Sequence, residues 1–161
     1  MAKHILNALV ENRAGILAKM ASLFARRGFN IDSLAVGVTQ NPEISATTIV
    51  VDGDAQTVEQ VEKQLSKLID VIKVKTLAPE TTVSRELSLI KVSCTAEKRA
   101  EIMQIVDIFR AKIIDICDHA VIIEMTGTGQ KIDAFEEIMH TFGILEMSRT
   151  GMIAMTRSKA E

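Results

Sequence analysis

The sequence predicts an α+β fold made of two units of one kind, each with the element order βαββαβ. Three observations support this. Segments of strand length alternate with stretches whose apolar residues recur at helical spacing. The order strand, helix, strand, strand, helix, strand runs once before residue 78 and again after residue 86. Between the runs, Pro79 to Arg85 is polar and turn-rich and reads as a linker. The expected organisation is a first domain at 1–78, a linker at 79–85 and a second domain at 86–161, both ferredoxin-like.

In the first half, Ile5 to Val10 is an apolar run of strand length. Ile16, Met20, Leu23 and Phe24 then fall on one helical face. Gly28 stands where a left-handed residue would end that helix. Leu34, Val36 and Val38 alternate with smaller residues, Asn41-Pro42-Glu43 reads as a turn, and Thr47 to Val51 is β-branched, so a hairpin is expected. Asp54 opens a second helix with Val58, Val61, Leu65 and Leu68 on one face. Val71 to Leu77 closes the half as a strand, with Ile72 and Val74 expected on one face and Lys73 and Lys75 on the other.

The second half repeats the order without visible sequence identity. Leu87 to Cys94 is strand-like, and Ile102, Ile105, Val106 and Phe109 form a helical stripe. Ile113 to Cys117 and Ala120 to Thr126 flank a tight turn at Asp118-His119. Ile132, Phe135, Ile138, Met139 and Phe142 form another stripe. Ile144 to Met147 and Met152 to Met155 are apolar segments interrupted by Arg149-Thr150-Gly151. Both helices of each half are expected on one face of its sheet, and Leu34, Val36 and Val38 suggest an apolar opposite face. A unit of roughly 60–80 residues is marginal alone, so pairing of sheet faces or edges between halves or copies is expected.

The 161 residues suit one ordinary domain or two small ones, and 47% apolar with 25% charged residues is a folded composition. A net charge of -2 gives no basic field for nucleic acid or an anionic membrane. With five Phe and neither Trp nor Tyr, the core must be aliphatic with Met as filler. RNA-binding modules of this topology stack bases on strand aromatics, and the central strands here have none. No nucleic-acid or membrane partner is therefore expected. The apolar run after Met1-Ala2-Lys3-His4 stops at Glu11 without a small-residue cleavage pattern, and nothing approaches the roughly 18–20 apolar residues of a membrane span. With only Cys94 and Cys117, a reducing cytoplasm is expected.

Catalytic patterns are lacking. His4, His119 and His140 have no metal-ligand spacing and read as solvated surface residues. Cys94 and Cys117 lie in predicted strands without a CxxC pattern and read as buried thiols. Gly127-Thr128-Gly129-Gln130-Lys131 lacks the spacing of a phosphate loop and reads as a strand-to-helix turn. No catalytic residue and no metal ligand is assigned.

Asn12-Arg13-Ala14-Gly15-Ile16-Leu17 is different. It leads from the first strand into the first helix, where unpaired amides and the positive dipole end suit a carboxylate. Gly15 lets a ligand approach the backbone, and Asn12 can accept or donate beside it. A purely structural reading is equally open at this point: Asn12 caps the helix and Gly15 relieves a turn. Asn30, after Gly28-Phe29, is either a turn residue or an acceptor for an ammonium. A carboxylate seat and an ammonium acceptor beside an apolar wall would suit an aliphatic amino acid.

These residues carry a resemblance. Asn12-x-x-Gly15-x-Leu17 with Gly28-Phe29-Asn30-Ile31-x-Ser33-Leu34 resembles the ACT domain of the acetolactate synthase (acetohydroxyacid synthase) small subunit. Ile108-Phe109-Arg110-Ala111-Lys112-Ile113-Ile114-Asp115 and Arg149-Thr150-Gly151 are similar to that family's C-terminal domain, so the resemblance spans essentially the whole chain. It implies a regulatory subunit without an active site or cofactor of its own. The partner would be a catalytic large subunit carrying thiamine diphosphate, Mg and usually FAD, which condenses pyruvate with pyruvate or 2-oxobutyrate. The small subunit would raise its activity and confer feedback inhibition by valine or a related amino acid. The resemblance further implies a homodimer through joined ACT sheets, with Asn12 and Gly15 serving the effector from one chain and Asn30 from the other. Ile16, Ile31 and Val36 would help form the apolar surroundings. Two other readings remain: an ACT-type sensor for another pathway or a transcription factor, and a small enzyme with a Cys94 or Cys117 nucleophile.

Overall fold

The computed structural model describes residues 2–159. Met1, Ala160 and Glu161, which begin and end the two expected domains, lie outside the described residues. The chain forms two compact units: residues up to Ser84 with those from Met152 onward, and Arg85–Gly151. Each contains a βαββαβ run with an antiparallel sheet, so the α+β, ferredoxin-like architecture is present twice.

The first unit comprises β1 (Ala2–Glu11), α1 (Ile16–Arg27), β2 (Ile31–Val38), β3 (Ile44–Gly53), α2 (Ala55–Ser66) and β4 (Val71–Leu77), with sheet order β2-β3-β1-β4. Period-two alternation sets which side chains meet the helices. Leu6 lies opposite Ile49, and Ala8 opposite Thr47. Leu6, Ala8, Val10 and Ile49 pack against Met20 and Phe24 of α1 and Val61 and Leu65 of α2. Gly28, at φ 68°, ends α1, and the Phe29 amide donates to the Phe24 carbonyl at 3.1 Å.

Two expectations about faces are corrected here. Leu34 and Val36 lie opposite Ile49 and Thr47, and so point to the helix-covered side, not the open one. Leu34 packs on the core, whereas Val36 and Val38, 48% and 60% exposed, project from the edge of that side. The open face instead presents Ile5, Asn7 and Leu9 of β1 opposite Val50, Thr48 and Ala46 of β3. In β4 a register shift opposite Leu9 and Val10 breaks the alternation. Val71 and Val74 reach the core, while Ile72 is left exposed.

Asp54 caps α2, its carboxylate accepting from the Thr57 amide at 2.8 Å. Its bonds to Thr57 hold its pKa below the ordinary aspartate value. The folded pKa is depressed, so this contribution is present above the unfolded pKa and is lost as pH falls through the folded one. Asp54→Ala should therefore lower the Tm at pH 7. The gap from the parent should close as the melts are taken into strong acid.

The second unit contains β5 (Thr82–Ser93), whose first residues still belong to the first unit, then α3 (Arg99–Ile108), β6 (Lys112–Ile116), β7 (Ala120–Gly127), α4 (Gly129–His140) and β8 (Ile144–Arg149). Its sheet order is β6-β7-β5-β8. Ile90, Val92, Ile123 and Met125 face Ile102 of α3 and Phe135 and Met139 of α4. Phe109 and Phe135 meet edge to face, with centroids 5.2 Å apart. Thr128 caps α4, as expected of a strand-to-helix turn. Arg149 ties β8 to β5 and α4 by ion pairs to Glu86 at 2.8 Å and Asp133 at 2.6 Å.

The segment expected to be a linker is structured. Pro79–Thr81 forms a 3-10 turn, and the chain enters β5 at Thr82. The last apolar segment, β9 (Ile153–Thr156), pairs with β5 and groups with the first unit.

Candidate effector site

The turn between β1 and α1 is built on Gly15, which stands at the N-cap with φ 88°. An L side chain is strained at that φ, whereas a Cβ there would meet nothing within 4 Å, so the position demands glycine for its conformation and leaves open space above it. No side chain caps α1, and its first turn holds no acidic residue. The first intrahelical bond runs from the Lys19 amide to the Gly15 carbonyl at 3.0 Å, so the amides of Leu17 and Ala18 have no acceptor within the helix. A carboxylate at this end would meet those amides and the positive end of the helix dipole.

Asn12 is not the cap. Its side-chain amide nitrogen donates to the Pro42 carbonyl at 2.9 Å, and its backbone amide donates to the Glu43 carbonyl at 2.7 Å. These bonds fasten the β2–β3 turn beside Gly15 and leave the Asn12 side-chain oxygen as an acceptor for a ligand. Lys19 and the buried Asp70, 2.8 Å apart, fix α1 from the other side, and the Asp70 carbonyl accepts from the Glu11 amide. Sequence reading missed Pro42 and Glu43, because backbone carbonyls leave no trace in residue identity, and Asp70, because its partner Lys19 is distant in the chain.

Ile16 is buried beneath the turn, and Val36 points to the same side of the sheet toward the same end. Asn30 and Ile31 are elsewhere. Ile31 lies opposite Val51, at the far end of β2, whereas Val38 lies opposite Ser45 near Asn12. Strand rise puts roughly 23 Å between those ends. Asn30 is exposed there, on an open cleft of about 900 Å³ that Phe29 and Asp52 also line. Within one chain Asn12, Gly15 and Ile16 belong to the β1–α1 turn and its helix start, Val36 lies on the same side of the sheet, and Asn30 and Ile31 lie at the far end of β2.

The thiols differ from expectation. Cys94 is buried, but Cys117 is exposed just beyond β6, its Sγ 3.8 Å from His119 Nδ1. Cys117 follows the last residue of β6, Ile116, and the Arg99 guanidinium of α3 donates to its carbonyl at 3.2 Å and leaves the thiol outside, so strand alternation no longer sets its burial. His119 and His140 are exposed, while His4 is half-buried in β1. Among the described residues no group of three or more His, Cys, Asp or Glu is placed to hold a metal ion, and no helix is long and apolar enough to cross a membrane.

The βαββαβ unit with its glycine turn is an ACT domain: residues 6–73 match the family model described as the AHAS small subunit-like ACT domain. Residues 85–158 match the model described as the small subunit of acetolactate synthase. The chain belongs to the acetolactate synthase small-subunit family. It is 52% identical over 155 residues to the probable acetolactate synthase small subunit of Archaeoglobus fulgidus, covering 96% of this chain and 97% of that one. It is 50% identical to the probable acetolactate synthase small subunit of Methanothermobacter thermautotrophicus, covering 96% of this chain and 92% of the relative. The crystal structure of the acetolactate synthase small subunit from Thermotoga maritima superposes with a TM-score of 0.92 at 45% identity, covering 98% of each chain.

Proposed function

We propose that this chain is the non-catalytic regulatory subunit of an acetolactate synthase. It activates the catalytic large subunit, and valine or a related branched-chain amino acid inhibits the assembly through it. Thiamine diphosphate, Mg and FAD belong to the large subunit, and the complex works in the cytoplasm on the branched-chain amino acid pathway. Family membership supports the subunit role. The observation that carries the effector role is the uncapped amino terminus of α1 behind Gly15.

The effector's carboxylate takes the first-turn amides of α1, and its aliphatic side chain lies against Ile16 and Val36. Its ammonium needs acceptors, and Asn12 provides one. Asn30 is too far along β2 to help within its own chain. β2 is an edge strand, however. Two β2 edges paired antiparallel about a two-fold axis bring each chain's Asn30 and Ile31 to the other chain's Val38 end. The homodimer through ACT sheets follows from that requirement, and it also removes an exposed edge.

Regulation is then a coupling free energy. Valine bound across two chains favours one arrangement of the dimer, and that arrangement holds the large subunit less productively. Such couplings amount to about 1–3 kcal/mol. Mixing the protein with its cognate large subunit should raise the rate of acetolactate formation, and added valine should lower it again. A rate that ignores the protein would refute the subunit role, and one raised by the protein but indifferent to valine would refute the effector role.

A further inference from the structure

Asn7 sits mid-strand in an apolar run, where a polar side chain needs a partner. It lies opposite Thr48 on β3 and Lys75 on β4, and Thr48 lies opposite Ala35 on β2. One row thus crosses all four strands on the open face. β9 lies on that row. Asn7 Nδ2 donates to the Ala154 carbonyl at 3.1 Å, and the Ala154 amide donates to Thr48 Oγ1 at 3.4 Å. Lys75 Nζ donates to Thr156 Oγ1 at 2.9 Å. Ala154 is 8% exposed and Thr48 is 4% exposed. Both backbone groups of Ala154 are therefore held by side chains, and the seat recognises a strand's main chain. Arg157 adds a bond from its amide to the Thr81 carbonyl at 2.7 Å.

The chain reaches β9 directly from the second unit. It leaves β8 at Arg149, held by Glu86 and Asp133, and turns at Gly151 with φ 76°. Just before the turn, the Thr150 amide donates to the Leu87 carbonyl at 3.0 Å. At its other end the row finishes on β2, the edge where the proposed effector site is completed. β9 thus rests on that sheet, beginning three residues after Thr150, whose amide is bonded within the second unit.

We infer that β9 is a strap, seated by Asn7, Thr48 and Lys75, through which effector occupancy of the first unit reaches the second. This rests on the proposed regulatory function. The seat holds the strap by directional bonds, and its release would leave ligand contacts at Gly15 in place while freeing the four-stranded sheet from β9, which then stays paired with β5 alone.

The test uses the full-length protein with its large subunit, in the parent, in Asn7→Leu/Thr48→Val, and in Ala154→Pro. The last variant leaves the sheet intact and decides the matter if the first does not fold. Isolated variants should bind valine within about two-fold of the parent and still activate the large subunit, but half-inhibition should need at least about five-fold more valine. Hydrogen exchange at the Arg157 amide, which donates to the Thr81 carbonyl, should quicken in both. A parent that neither binds nor answers to valine would overturn the effector role and the strap with it. A responsive parent whose variants are inhibited as before, with Arg157 exchanging freely, would overturn the strap alone. Unchanged protection at Arg157, or valine affinity lost in the isolated variants, would equally overturn it.

Discussion

Asn12→Ala and Asn30→Ala should each weaken valine binding by roughly ten- to a hundred-fold, because in the proposed site each would remove a hydrogen bond to a charged group, an interaction of about 1.5–3 kcal/mol. Calorimetry on the isolated protein measures this directly. Activation of the large subunit should survive both changes, since neither residue supports a core. The sharper result comes from mixing the two variants. In a mixed dimer, one site lacks both asparagines and the other keeps both. Random exchange makes about half of the dimers mixed, so tight valine sites should reappear on mixing two preparations that separately lack them. A site formed within one chain gives no such recovery, and unaltered affinity in both variants would place the effector elsewhere.

Phe135→Ala should destabilise the second unit by about 3–5 kcal/mol, the usual result of emptying a large buried aromatic position. Phe135 is fully buried on α4 and meets Phe109 edge to face. Against a typical total of about 5–15 kcal/mol, that loss is large enough to move the denaturation midpoint strongly. Ile108→Ala, at an exposed position at the end of α3, should stay within about 0.5 kcal/mol. Urea titrations followed by circular dichroism distinguish the two. Similar midpoints for both would mean that the Phe109–Phe135 contact does not organise this core.

The contrast follows from the periodicity that made these helices legible. Ile132, Phe135 and Met139 recur on one face of α4 and are all buried. Ile16, Met20, Leu23 and Phe24 do the same on α1. Helix ends were legible as well, because Gly28 and Asp54 are residue types whose local chemistry fixes a stop and a start. The glycine turn at Gly15 was legible for the same reason.

What failed to show was anything that depends on the far side of a contact. Val36 and Val38 were assigned to the wrong face because alternation gives two faces but does not say which one the helices cover. Ile72 was misplaced because a one-residue register shift in β4 reverses alternation locally. Cys117 reads as a core thiol in sequence because apolar patterning does not say that β6 stops one residue earlier, at Ile116.

Residue type and spacing were enough to set the element types and their order, the stop of α1 at Gly28 and the start of α2 at Asp54. Those are local matters, fixed by backbone preference and the spacing of apolar side chains. It took the folded chain to reveal that Asn12 fastens the β2–β3 turn at Pro42, that Asn30 lies at the opposite end of the sheet, and that β9 returns to Asn7 and Thr48. Each of these joins residues far apart in the chain, some through backbone atoms that every residue carries, so no pattern of side chains could announce them.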